Sequence, residues 1–232
     1  MANIQLQSIN TRRGPTVAEQ VFDYLHERIL MLELPPGTKL SEVEVSRQMD
    51  ISRQPVREAF FRLSQLGFLL IRPQRATVVR PISESDVLQA MYVRSALEME
   101  VIRNAIEIVT DDQLAELSTL LDEQQQAVTT SDKILFHTLD DRFHKKICEA
   151  ANAGFVWTLI KEKKAHMDRV RYLTLEAGAK IALDEHRVIF DALQSKKSDQ
   201  AVALMREHLS RIKIDLPRIR QEHAQYFSTE PE

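Results

Sequence analysis

The 232-residue chain is 44% hydrophobic and 28% charged, with five glycines and 6% aromatic residues. That is apolar material for one large or two modest domains, in a mixture rich in helix formers. A single cysteine, Cys148, excludes an internal disulfide and a thiolate zinc cluster. No apolar run approaches the roughly 18 residues of a membrane span, and the N-terminus lacks the apolar core of a signal peptide, so a cytoplasmic protein is expected. The net charge of −3 hides an asymmetry: residues 1–80 hold 11 Lys and Arg against 8 Asp and Glu, the rest 20 against 26. The first part is the one expected to meet a polyanion.

Residues 1–15 are polar and read as a flexible arm. Thr16 then caps a helix whose apolar positions Val17, Val21, Phe22, Leu25, Ile29 and Leu32 share one face. "LELPPGTKL" (32–40) breaks it. Ser41 and Glu44 have capping-box spacing for a short helix to about Met49. Ser52 caps a third helix from Arg53 to about Gln65, and Gly67 stops it. "FLLIRPQRATVVR" (68–80) has two β-rich runs about a Pro-Gln-Arg-Ala turn, the pattern of a hairpin or wing.

Three helices and a β-wing over residues 16–80 make a winged helix-turn-helix. On the third helix Arg53 and Arg57 lie at i, i+4 with Gln54 beside them, while Val56, Phe60 and Leu63 point inward. Arginine forks pair with guanine edges or phosphates, and glutamine reads adenine. The run "SRQPVREAFFRLSQLGFL", inside a stretch of about 65 residues, resembles the DNA-binding domain of the GntR family of bacterial transcription regulators. That resemblance implies Ser52, Arg53, Gln54 and Arg57 as DNA contacts, with Gln74 and Arg75 at the wing tip. Family wings usually read Arg-Gly here, whereas this chain has Arg75-Ala76, which loses the residue most tolerant of positive φ.

Beyond residue 80 every periodic segment is helical. Helices are expected over 83–108, 111–127, 131–151, 154–175, 178–194 and 198–215, with caps at Ser83, Asp111, Ser131 and Ser198 and Pro217 kinking or ending the last. Short connections make these an all-α antiparallel bundle of six or seven helices over 81–227. "FHTLDDRFHKKI" (136–147) places His137, Asp140 and His144 within an arc of about 60°, beside apolar Leu139, Phe143 and Ile147. Desolvating such groups requires partners, either a hydrogen-bond network or a metal ion. His186 and His208 face inward from later helices, and imidazole with carboxylate suits Zn²⁺, Ni²⁺, Mn²⁺ or Fe²⁺. Cys148, one turn beyond His144, reads as core.

"YVRSALE", "DDRFHKKICEAA" and "DEHRVIFDALQSKKSDQAVALMREHL" resemble FCD, the ligand-binding domain of the FadR branch. The resemblance implies one divalent metal per chain on Asp140, His144, His186 and His208. It also implies that Arg94 pairs with an effector carboxylate; a surface Arg94–Glu98 pair is the alternative. The pattern departs at "AANAGF", where the family's usual Asn is shifted by one residue. His137 and His166 are candidates to line the effector cavity.

The expected function is a transcription regulator, a repressor, that binds a palindromic operator in double-stranded DNA as a homodimer and responds to a small carboxylate metabolite. It would be nucleoid-associated when bound to DNA. Two alternatives use the same residues: a metal-dependent hydrolase fused to a DNA-binding domain, and a sensor of the metal itself. Neither HExxH nor a nucleophile motif accompanies the ligands.

Overall fold

Thr16 and Glu19 start the first helix reciprocally: the Glu19 amide donates to the Thr16 hydroxyl at 3.2 Å, and the Thr16 amide to the Glu19 carboxylate at 2.7 Å. α1 (Val17–Leu30) buries Val21, Phe22 and Leu25. The computed structural model describes residues 14–72 and 74–228, with the backbone alone over 175–177. Most of the arm expected over 1–15 thus lies outside the described residues. Contacts divide the chain into two units, Met1–Arg28 with Thr38–Arg80, and Ile29–Gly37 with Pro81–Glu232.

In the first unit α1 is followed by β1 (Lys39–Leu40), α2 (Glu42–Gln48), α3 (Arg53–Gln65), β2 (Leu69–Leu70) and β3 (Thr77–Val79). β2 and β3 form the expected hairpin, pairing Leu69 with Val79 and Leu70 with Val78. β1 adds antiparallel to the other edge of β3, Leu40 opposite Thr77, so β3 is central. Two residues so soon after a Pro-Pro-Gly break carry no readable alternation, and this strand was not expected. Ser41 caps α2 by accepting from the Glu44 amide at 3.4 Å. The Glu44 carboxylate turns to Arg47 and Gln48 instead of completing the box. Val56, Phe60 and Leu63 of α3 are fully buried.

The second unit consists of α4 (Glu84–Ile108), α5 (Asp111–Thr129), α6 (Lys133–Ala150), α7 (Gly154–Gln194) and α8 (Ser198–Glu222), then a single 3₁₀ turn, Ala224–Tyr226. α7 packs against α4, α5, α6 and α8. Ser83 caps α4 as expected, accepting from the Asp86 amide at 2.9 Å. Three other caps sit one residue away from expectation. Thr110 makes a full capping box with Gln113; Asp132 accepts from the Leu135 amide; Lys197 precedes α8 and offers no side-chain bond. Ser131 is instead a left-handed residue with φ 55°.

The segments expected at 154–175 and 178–194 are one 41-residue helix. Gly178 weakens a helix by about 1 kcal/mol relative to Ala, but unlike proline it keeps its amide donor, so the helix runs through. α8 likewise continues past Pro217 to Glu222. Proline costs one helical hydrogen bond, but Leu216 and Ile219 on either side are each 1% exposed, and their burial holds the last turns in place.

Candidate functional site

α3 presents Arg53, Gln54 and Arg57 on its exposed face, opposite its buried stripe. Ser52 sits at the N-cap with extended backbone, φ −68° and ψ 161°, yet its hydroxyl makes no capping bond. Gln54 donates to Glu58 at 3.0 Å, and Arg57 Nε donates to Glu42 at 3.4 Å; at 64% side-chain exposure Arg57 gives up little by exchanging that contact for another. Gln74 and Arg75 are exposed at the hairpin turn. The left-handed residue there is Gln74, φ 57°, not Ala76. This turn therefore asks no glycine conformation of position 76.

In the bundle, α6, α7 and α8 bring Asp140, His144, His186 and His208 together, each offering a ligand atom within 4.8 Å of the others. Local helix geometry sets the first pair, since i and i+4 share a face; tertiary packing supplies the rest. Each imidazole has its Nδ1 beside an oxygen from another helix. Glu98 Oε2 of α4 lies 2.5 Å from His144 Nδ1. Gln124 Oε1 of α5 lies 2.8 Å from His186 Nδ1, and Glu185 Oε2 of α7 lies 2.8 Å from His208 Nδ1. Gln124 in turn donates to the Leu139 carbonyl at 3.2 Å. A proton held on Nδ1 of His186 and of His208 leaves their lone pairs on Nε2, facing the cluster, where His144 Nε2 also lies.

Without a cation that arrangement is costly. His144 Nε2 and His208 Nε2 stand 3.3 Å apart, and His186 Nε2 and Asp140 Oδ2 are buried with no hydrogen-bond partner. Two nitrogens bound at tetrahedral angles to one Zn²⁺ would stand about 3.3 Å apart. The donor set fits a divalent ion, and oriented Nδ1 partners are what metal-binding histidines ordinarily have. The electrostatics agree. Burial, with the neighbouring His208, holds His186 well below the usual imidazole range, and burial with His144 lowers His208 to about 3, so both are neutral at neutral pH, the form in which an imidazole can bind a metal. Burial opposes ionisation of Asp140, but the Arg171 guanidinium, 2.8 Å away, together with His144, His186 and Arg94 outweighs it and holds the carboxyl well below its usual range.

A cavity of about 100 Å³ opens beside His208. Arg94, Arg171 and Arg211 reach it from three helices, against apolar Phe136, Met167 and Ile212. Arg94 does pair with Glu98, Nε donating at 2.5 Å, but the pair is buried, with 4% and 2% side-chain exposure. Its Nη2 has no hydrogen-bond partner among the described residues, and Nη1 of Arg171 has only an ion-pair contact with Asp168 Oδ1 at 3.7 Å, too long for a hydrogen bond. Glu98 so bridges Arg94 to His144, its carboxyl lowered to about 2: burial opposes this, and Arg94 and His144 overcome it.

His137 and His166 are not among the residues lining that cavity. His137 stacks on Tyr172 at 4.9 Å and lies 3.3 Å from Asp168, which also receives buried Lys164 at 2.6 Å. Cys148 is fully buried in the main core, its thiol pushed up to about 12 by burial and then by Glu98. Gln124, Glu185, Arg171 and Arg211 escaped the sequence reading; Glu98 entered it only as a surface partner of Arg94, through its i+4 spacing.

The family described as bacterial regulatory proteins, gntR family, matches residues 17–79, and the FCD domain matches residues 89–211. The HTH-type transcriptional repressor RspR of Escherichia coli (strain K12) is 37% identical over 227 residues, covering 96% of this chain and 100% of its own. An HTH-type transcriptional regulator in an unstable DNA locus of Streptomyces ambofaciens is 32% identical over 220 residues, 94% of this chain and 92% of its own. Among solved structures, E. coli McbR/YncC superposes with a TM-score of 0.74 at 22% identity, over 90% of this chain and 100% of that one, a likeness of fold. These relatives and domains are regulators rather than enzymes, which removes the fused-hydrolase alternative. No helix among the described residues is long and apolar enough to cross a membrane. The chain belongs to the gntR family of bacterial regulatory proteins: it is a transcription regulator with a winged helix-turn-helix followed by an FCD domain.

Proposed function

We infer that the chain is a repressor whose operator affinity is set by a small organic acid bound at a divalent metal in the bundle. The observation that carries this reading is the meeting of two incomplete shells. Three imidazole Nε2 atoms and the Asp140 carboxylate come together in the bundle, and the adjoining cavity is lined by Arg94, whose buried Nη2 has no hydrogen-bond partner among the described residues, and by Arg171. Asp140, His144, His186 and His208 would hold Zn²⁺, Ni²⁺, Mn²⁺ or Fe²⁺, one per chain. When bound, the ion supplies a positive pole toward which a carboxylate turns. Arg94 orients the acid from the other side with its planar fork, and Phe136, Met167 and Ile212 exclude water from the remainder. RspR, a relative named a repressor, supports the sign of regulation. Residues 16–80 act as the DNA-binding domain and 81–227 as the effector-binding and dimerising domain. A homodimer reads a palindrome, because a two-fold protein presents two identical α3 helices to two half-sites. Ser52, Arg53, Gln54 and Arg57 enter the major groove, and Gln74 and Arg75 lie along the backbone or minor groove.

The test is Arg94→Ala with metal analysis beside operator titration. The variant should keep its metal and its operator affinity and lose release by an effector found in a thermal-shift screen of organic acids. Arg94→Lys should restore little, since an ammonium cannot reproduce the bidentate fork. An Arg94→Ala protein that responds like the wild type refutes the anchor. A metal-only sensor would show equal operator response to the ion with or without the acid.

A further inference from the structure

We propose that the segment Tyr226–Ser228 is a clasp that carries occupancy of the bundle cavity to the link between the two domains; it rests on the reading of the bundle as an effector domain. The clasp is a parallel bridge between Ile82 and Phe227. The Ile82 amide donates to the Tyr226 carbonyl at 2.7 Å, and the Ser228 amide donates back to the Ile82 carbonyl at 2.9 Å. Beside it Arg220 Nη1 donates to Glu84 at 2.7 Å, again joining the end of the chain to the start of α4.

Two features turn this contact into a transmission element. The first is the lack of slack in the chain. Arg80 is tied to the sheet of the first unit, its amide donating to the Phe68 carbonyl at 2.9 Å, and Ile82 is tied to the clasp. Only Pro81 lies between, and its ring fixes one of its two soft dihedrals. A displacement of Ile82 therefore reaches Arg80 through a single stiff residue.

The second is a shared wall. Ile82 and Phe227, 2% and 5% exposed, belong to a cluster with Val87, Met167, Ile212 and Ile219. Met167, Ile212 and Ile219 also line the cavity holding Arg94 and Arg171. Close-packed side chains transmit displacement because they have no room to absorb it. Filling or emptying the cavity thus presses on the residues that seat Phe227, and Phe227 seats Ile82. Linkage then requires that operator binding alter ligand affinity by the same factor.

The experiment compares full-length wild type, Phe227→Ala, Phe227→Leu and Arg220→Ala. The operator is a duplex selected on the wild-type protein from a random library, and the cavity probe is Zn²⁺ with acetate. Metal content and circular dichroism are read in parallel, so that a lost metal site is told apart from a lost clasp. Phe227→Ala should bind Zn²⁺ as wild type does. Its operator affinity without any ligand should shift by about threefold or more, and its response to Zn²⁺ with acetate should largely vanish. Hydrogen exchange at Ile82 and Ser228 should quicken together. Phe227→Leu should stay near wild type; Arg220→Ala, whose ion pair is exposed, should lie between and covers the case in which Phe227→Ala fails to fold. The proposal is overturned if variants that hold Zn²⁺ keep the wild-type operator affinity and response, or if Ile82 exchanges as slowly in Phe227→Ala as in the wild type.

Discussion

Replacing Gln124 with alanine probes the proposed metal centre without touching any of its four candidate ligands. Gln124 is fully buried and makes two bonds that hold His186 in place: Oε1 meets His186 Nδ1 at 2.8 Å, and the amide donates to Leu139 O at 3.2 Å. Truncation frees the imidazole to rotate or take its other tautomer. Loss of such a partner weakens metal binding by about 10–100-fold, or about 1.4–2.7 kcal/mol. The metal-free protein should also lose stability, by about 1–3 kcal/mol for each buried group left unpaired. Gln124→Glu separates the two effects. Its carboxylate still accepts from His186 Nδ1 but cannot donate to the Leu139 carbonyl, so Zn²⁺ affinity should hold while stability falls. Chelator competition for Zn²⁺ and urea titration of the metal-free protein read the two quantities. Zn²⁺ affinity of Gln124→Ala within about twofold of wild type would refute the claim that this bond sets the His186 tautomer.

Acid should destabilise the metal-free protein well above the carboxylate range. His186 and His208 are both depressed in the folded state, so below an unfolded pKa of about 6.5 the unfolded chain takes up protons that the folded chain refuses. Stability should fall by about 1.4 kcal/mol per pH unit for each histidine from about pH 6.5 downward, with a further loss below about pH 4.5 as Glu98, lowered to about 2, must be protonated; urea midpoints that stay flat from about pH 7 to about pH 5 would contradict this. Gly178→Ala should stabilise by about 0.5–1 kcal/mol, because a Cβ there meets nothing within 4 Å; a lower melting temperature would show that the glycine has a packing role. Arg57→Ala should lower specific operator affinity by about 1–3 kcal/mol with unchanged circular dichroism, and specific binding within about twofold of wild type would remove Arg57 from base readout.

What could be read from the chain was whatever is local. Val56, Phe60 and Leu63 repeat at helical spacing and are fully buried, and Asp140 and His144 share a face because helix geometry makes them do so. His186 and His208 could be read as inward-facing from their apolar neighbours, but only resemblance joined them to Asp140 and His144 in one ligand set, since no local pattern says which helix lies across from α6. The Nδ1 partners were invisible for the same reason: Gln124 and His186 are 62 residues apart, and a glutamine on an amphipathic helix has no mark of burial. Arg94 and Glu98 show the limit of spacing arguments. Their i, i+4 relation gives the pair correctly but not its burial, which depends on α6, α7 and α8 closing over it. The helix boundary misread at Gly178 has the opposite origin, a local breaker overruled by its helix-forming surroundings.

The order in which the four cluster residues occur has a consequence for how the protein is made. Asp140, His144 and His186 are synthesised before His208, the residue whose Nε2 stands 3.3 Å from that of His144. A growing chain that has reached the end of α7 owns three of the four donors and lacks the last wall of the cavity. Capture of the proposed metal at the complete site would then follow the emergence of α8 from the ribosome, so cells starved of the ion would accumulate finished chains awaiting it rather than arrested fragments. Pulse-labelled chains from such cells should be full length, acquire protease resistance when metal is restored, and do so without new synthesis.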